Sequence, residues 1–128
     1  MTGTSVSPGN SGPVLVAETP AAGVALQNGT PVFLSWTAPN DGNLHEFELV
    51  ASLQVTSGET GGAVGLSFTF PGGAAATPNV FAAGLGAGTV NSSVAGKRLV
   101  APGTTVTLAQ TSALTAGAAQ LMAQLWAS

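Results

Sequence analysis

In the stretch HEFELVASLQVT, residues 45–56, His45, Phe47, Leu49, Ala51, Leu53 and Val55 fall on one parity, and Glu46, Glu48, Ser52, Gln54 and Thr56 on the other. Side chains of an extended chain alternate between two faces, so this period-2 pattern reads as a half-buried strand, with Val50 its one exception. The same alternation holds upstream, where Val32, Leu34 and Trp36 interleave with Phe33, Ser35 and Thr37. It returns downstream, where Val64, Leu66, Phe68 and Phe70 interleave with Gly65, Ser67 and Thr69. Two turns are expected between these runs. In Ala38-Pro39-Asn40-Asp41-Gly42-Asn43, Pro39 presets φ and Asp41-Gly42 tolerates positive φ, which predicts a hairpin. Ser57 to Gly62 is expected to be a second turn that sends the chain back.

Past Pro71-Gly72-Gly73, residues 74–94 are rich in Ala and Gly, anchored by Val80 and Phe81, and are expected to hold two short strands and a long loop. Lys97–Ala101 and Thr104–Gln110 read as short strands around a Pro102-Gly103 turn. Leu114 to Trp126 fits two descriptions. As a strand it sets Leu121, Ala123 and Leu125 against Gln120, Met122, Gln124 and Trp126; as a helix it carries a stripe of Leu114, Ala118, Leu121, Met122 and Leu125. The β context and Ala116-Gly117 favour the strand. About eight strands from Pro31 onward predict an all-β, single-domain, two-sheet antiparallel β-sandwich, jelly-roll-like, over residues 31–128. In it, 31–37 and 119–127 are expected to pair near the centre of one sheet, bringing Trp36 beside Trp126. Residues 1–30 are expected to form a flexible or extended N-terminal arm, docked loosely or clipped onto a neighbouring subunit's sheet edge.

Composition narrows function. Charged residues make up 5% of the 128, against about 25% in ordinary soluble domains, while 18 Gly and 8 Pro punctuate the chain. Thr, Ser, Asn, Gln and Gly take the positions that Lys and Glu usually fill. A surface this poor in charge fits coverage by neighbours in an assembly, because oligomer interfaces lose Lys, Glu and Asp. With two cations, Lys97 and Arg98, and a net charge of −3, the chain lacks the basic groups that nucleic acid or an anionic membrane would require. It has no Cys, so thiols say nothing of its compartment, and its first residues lack the basic and apolar regions of a secretory signal, so a protein made and kept in the cytosol is expected. No apolar stretch reaches the ~18–20 residues of a membrane span.

Most catalytic mechanisms lack parts here, since there is one His and no Cys or Tyr. His45 would have to serve any Ser-His-Asp arrangement, yet no Gly-x-Ser-x-Gly elbow exists and it shares a parity with Phe47 and Leu49; a strand-end histidine beside a turn explains it. One imidazole does not make a zinc site. Glu46 and Glu48, at i and i+2 on one strand face, would sit ~6.5–7 Å apart, a spacing a glycosidase pair can use. Without Tyr or a nearby cation in sequence, they read instead as a solvated face or a contact to Lys97 or Arg98. Asn40 to Asn43 carries clustered oxygens but lacks the bidentate Glu of a calcium loop. No enzyme activity, cofactor or metal is expected. Trp36 and Trp126 are core packing, a sugar platform or an interface anchor.

The run from Thr30 to His45, the long alternating strand after it, and the ending Leu114 to Trp126 together resemble small Gly/Ala/Thr-rich virion proteins of tailed phages that infect actinobacteria. The likeness spans roughly residues 30–128, in layout rather than in any diagnostic motif. It implies a capsid decoration or minor structural protein on the virion surface, a homo-oligomer, trimer favoured, whose other partner is the major capsid protein. The alternative expectation is a carbohydrate-binding or host-attachment module. The candidate contact residues are Trp36, Trp126, Glu46, Glu48, Lys97 and Arg98.

Overall fold

The computed structural model describes residues 12–69, 75–76, 79–81 and 90–128, with side chains at 12–68, 80–81 and 97–128. These form β1 (Val14–Glu18), β2 (Val24–Ala25), β3 (Val32–Thr37), β4 (His45–Thr69), β5 (Ala75–Ala76), β6 (Asn79–Phe81), β7 (Val90–Val100) and β8 (Thr105–Ala127), all paired antiparallel. The expectations for residues 1–11, for Phe70 to Gly73 and for the loop at 82–89 lie outside the described residues.

Two strands organise everything else. β4 and β8 pair along almost their whole length, from Phe47 opposite Ala127 to Thr69 opposite Thr105. A straight strand of 25 residues would run to about 80 Å at ~3.3 Å per residue. Yet the rings of Phe47 and Phe68, near opposite ends of β4, lie 5.4 Å apart. The ladder is therefore folded in half, and its two halves face each other as the layers of a sandwich. In the first sheet β1, the last third of β8, the first half of β4 and β7 lie side by side. In the second, β3 pairs with Val106–Ala109 and Thr105 of β8, and the end of β4 pairs with β8, β5 and β6. This is the all-β antiparallel sandwich expected, built as a doubled-over ribbon in the jelly-roll manner.

Glycine makes the fold line. The register slips between Val55 and Ser57, Ser57 and Thr60, Thr60 and Gly61, and Ala63 and Val64. Gly61, Gly62 and Gly117 there take φ of 71°, 76° and 85°, a region that side chains with a Cβ avoid. A Cβ on Gly117 would run into the Gly58 backbone. Thr115 Oγ1 donates to the Thr60 carbonyl at 2.7 Å and Thr56 Oγ1 to that of Ala118 at 3.3 Å, so hydroxyls replace ladder bonds lost at the bulges.

Several expectations are corrected by this arrangement. Ser57 to Gly62 is a bulged bend inside β4 and not a turn, and Ala116-Gly117 is a bulge inside β8. Two expected strands thus merge into one on each side, and only β3 to β8 follow Pro31 among the described residues. The Asp41-Gly42 turn forms, with Gly42 at φ 81° and the Asn43 N–H donating to Asp41 Oδ1 at 3.0 Å. It is a crossover between sheets and not a hairpin, because β3 pairs with β8 while β4 pairs with β7 and β8. Residues 31–37 do not pair with 119–127; the latter lie against β4 and β1. Leu114 to Trp126 is strand, as favoured. Val14–Glu18 and Val24–Ala25, inside the expected arm, are hydrogen-bonded to β8 of the same chain.

The core fills the space between the halves. Phe47, Leu49, Leu53, Val55, Leu121 and Leu125 face Val64, Leu66, Phe68, Val106 and Leu108, all buried. Each such side chain contributes ~1.5–3 kcal/mol by leaving water. Buried polar groups are tied to backbone. Gln110 accepts from the Gln27 N–H at 3.0 Å and donates to the Gln27 and Ser112 carbonyls, pinning the β2–β3 connection. Thr19 exchanges bonds with the Ala123 backbone where β1 ends.

Candidate functional site

In the first half of β4, Glu46, Glu48 and Ser52, which the sequence placed opposite the core, face outward from the first sheet. Cross-strand partners share a face, so Lys97 of β7, Glu48 of β4, Trp126 of β8 and Leu15 of β1 form one row across the sheet. The flanking rows hold Leu99 beside Glu46, and Val50 beside Gln124 and Glu18. Next comes Ser52 opposite Met122. Leu15, Val50, Leu99 and Met122 are all exposed. The chain between β1 and β2 rises over one side of this face, and a recess of about 380 Å³ opens between it and the sheet. Val50 and Met122 floor it, Pro20 and Ala21 wall it, and Glu18 and Gln124 supply its polar rim.

The sequence candidates divide. Trp126, Glu46, Glu48 and Lys97 gather on this face. Trp36 does not: it stands opposite Val106 in the second sheet, half-buried, with its ring 6.5 Å from that of His45, edge to face. The expected pairing of the two tryptophans fails because β3 pairs with the start of β8, at Thr105–Ala109, while Trp126 stands near the other end of that strand. Arg98, opposite Phe47, turns the other way from Lys97 and lies 5.5 Å over the Phe68 ring. A guanidinium over an aromatic face is attracted to the ring, and a charge on an outer strand discourages further strand addition.

His45 is occupied within the chain. Its Nε2 lies 2.9 Å from Asp41 Oδ1 and its Nδ1 3.3 Å from the main-chain oxygen of Ser128. The hydrogen bond from His45, helped by the Asn43 N–H, holds the Asp41 carboxyl below its ordinary range. The group clips the crossover turn to the end of β8. No cluster of three or more His, Asp or Glu side chains suited to a metal exists among the described residues. Glu59, which sequence reading passed over as a turn residue, is buried at the fold line, with Oε2 3.2 Å from where a Cβ on Gly62 would stand. The recess itself was equally invisible in sequence, since Pro20 and Ala21 of its wall are far along the chain from Val50 and Met122 of its floor.

The molecule is thus an antiparallel sandwich with one open sheet face on which exposed apolar side chains stand among Glu18, Glu46, Glu48 and Lys97. No family model matches the chain, and no curated protein is similar to it. Solved structures share its fold. A chain of infectious bursal disease virus Gx strain superposes with a TM-score of 0.54 at 15% identity, covering 91% of this chain and 32% of that one. A chain of the T13 IBDV viral particle gives 0.57 at 16% identity, with 90% and 30% covered. One from the Gt strain of the same virus gives 0.51 at 14%, with 91% and 30% covered. The chain therefore spans about a third of the length of the viral chains it matches.

Proposed function

We propose that this protein is a non-enzymatic structural component of a virion that works by self-association and by contact with a capsid shell. The exposed face of the first sheet carries the reading: Leu15, Val50, Leu99 and Met122 stand in water on adjacent strands, and exposed apolar residues gathered on one face mark a contact surface. The sandwich shared with chains of an icosahedral virus supports a particle role. The shortage of charge is what a surface meant to be covered requires. Within this reading the protein decorates a bacteriophage head as a small homo-oligomer, trimer favoured, seated on the major capsid protein and added in the host cytoplasm.

Labelling gradient-purified particles with an antibody to the chain tests this directly. Regular label on heads is expected; a chain found only in the soluble fraction overturns the reading. A glycan-binding module is a second reading, favoured by Trp126 facing outward beside Glu48. Binding on a glycan array that vanishes with Trp126→Ala would establish it.

A further inference from the structure

The outer face of the first sheet is not uniform, and its two sides are complementary. On the β7 side, Leu99 is 64% exposed and Lys97 stands next to it on the same face. On the β1 side lies the recess floored by Val50 and Met122, the latter 49% exposed, with the Glu18 carboxylate at its rim. One side offers an apolar knob with a cation; the other offers an apolar hollow with an anion. Leu99 and the Glu18 rim lie on β7 and β1 with β4 and β8 between them, and Leu99 stands opposite Glu46, four residues along β4 from Val50. A single copy cannot bring them together.

We propose that the recess receives the β7 side of a second copy of this chain, Leu99 entering between Val50 and Met122 while Lys97 approaches Glu18. This rests on the self-association reading and gives it a surface. Because knob and hollow are different patches, the contact is head-to-tail, and such contacts close into rings when the rotation allows. Charge complementarity favours this occupant: Lys97 is the chain's outward-facing cation on the sheet, Arg98 being turned over Phe68, and Glu18, Glu46 and Glu48 make the rest of the face acidic.

Sedimentation velocity of the full chain across a concentration series tests it. Wild type is expected to form a discrete oligomer. Leu99→Glu and Met122→Glu should each weaken association about 30-fold or more, as removal of an interface anchor does, with circular dichroism unchanged. Lys97→Glu and Glu18→Lys should each weaken it less, and the double variant should recover. An equimolar mixture of Leu99→Glu and Met122→Glu should stop at a heterodimer, since one copy keeps only its hollow and the other only its knob. An oligomer that survives both apolar variants, or no recovery in the charge swap, overturns this contact while leaving self-association standing. A wild-type chain that stays monomeric throughout overturns both.

Discussion

On the outer side of the second sheet most residues are hydroxyl-bearing, Ser35, Thr37, Thr105, Thr107 and Ser67, with exposed Val32 opposite Ala109, while the equivalent side of the first sets Val50, Met122, Trp126 and Leu15 among Glu18, Glu46, Glu48 and Lys97. Both faces belong to the same folded ladder of β4 and β8. Their polar groups are used differently. On the second sheet the hydroxyls answer each other, Thr37 Oγ1 to Thr105 Oγ1 at 3.0 Å and Ser67 Oγ to the Thr107 carbonyl at 3.4 Å. On the first sheet the apolar side chains have no such partners within the chain, and their contact with water is costly. One ladder thus supplies one face whose hydroxyls are bonded within the chain and one that leaves several apolar side chains in water.

The comparison holds only while the ladder stays folded, so the largest effect is expected at the fold line. Gly117→Val puts a β-branched residue at φ 85° and drives its Cβ into the Gly58 backbone. A loss on the order of 4 kcal/mol is expected, enough to abolish a cooperative urea transition in a domain of ordinary stability. A wild-type midpoint would mean that the bend does not depend on this backbone geometry. Next come the two halves of the core. Leu49 and Leu66 are both fully buried, one on each side of the fold. Their replacement by Ala should cost about 2–5 kcal/mol each. Equal losses in one shared transition would show that the halves unfold together; two separate transitions would split the sandwich into independent layers.

The faces were legible in the sequence because alternation is a local property: Phe47 to Val55 and Val64 to Phe68 face the core as their parity requires. What sequence hid was where each strand goes. Gly61-Gly62 and Ala116-Gly117 supply positive φ, and a turn and a bulge ask the same of glycine, so a bent strand looks like two strands. Asp41-Gly42 likewise makes its turn whether the next strand returns or crosses to another sheet. Pairing is decided by contacts distant in sequence, such as Val106 with Trp36, and these leave no local mark. The recess follows from pairing too, since Thr19 to Ala21 overhang Val50 and Met122 only once β1 has docked on β8.

A smaller effect of opposite sign is expected beside the second sheet. Thr104 is fully buried, and its Oγ1 has no partner among the described residues. A buried hydroxyl without a hydrogen bond carries an uncompensated loss of hydration. Thr104→Val keeps the shape and removes the oxygen. It should raise stability by roughly 0.5–1 kcal/mol, read as an increased urea midpoint at unchanged slope; a decrease would reveal a partner for that hydroxyl.

The smallest effect lies at the clip between the crossover turn and the end of β8. The Asp41 carboxyl is held below its ordinary value of 3.8, first by the hydrogen bond from His45 and then by the Asn43 N–H. The folded chain therefore binds this proton less readily than the unfolded chain, and stability falls as acid is added. The contribution is whole above the unfolded value and is lost as pH drops through the lower, folded one. Asp41 stands in open solvent, which keeps the effect small. In urea titrations below pH 5, Asp41→Asn should flatten the acid limb of the stability profile and leave the neutral limb nearly where it was. An unchanged acid limb would mean that the turn is held by its glycine and backbone alone, and that His45 meets Asp41 without drawing the two sheets together.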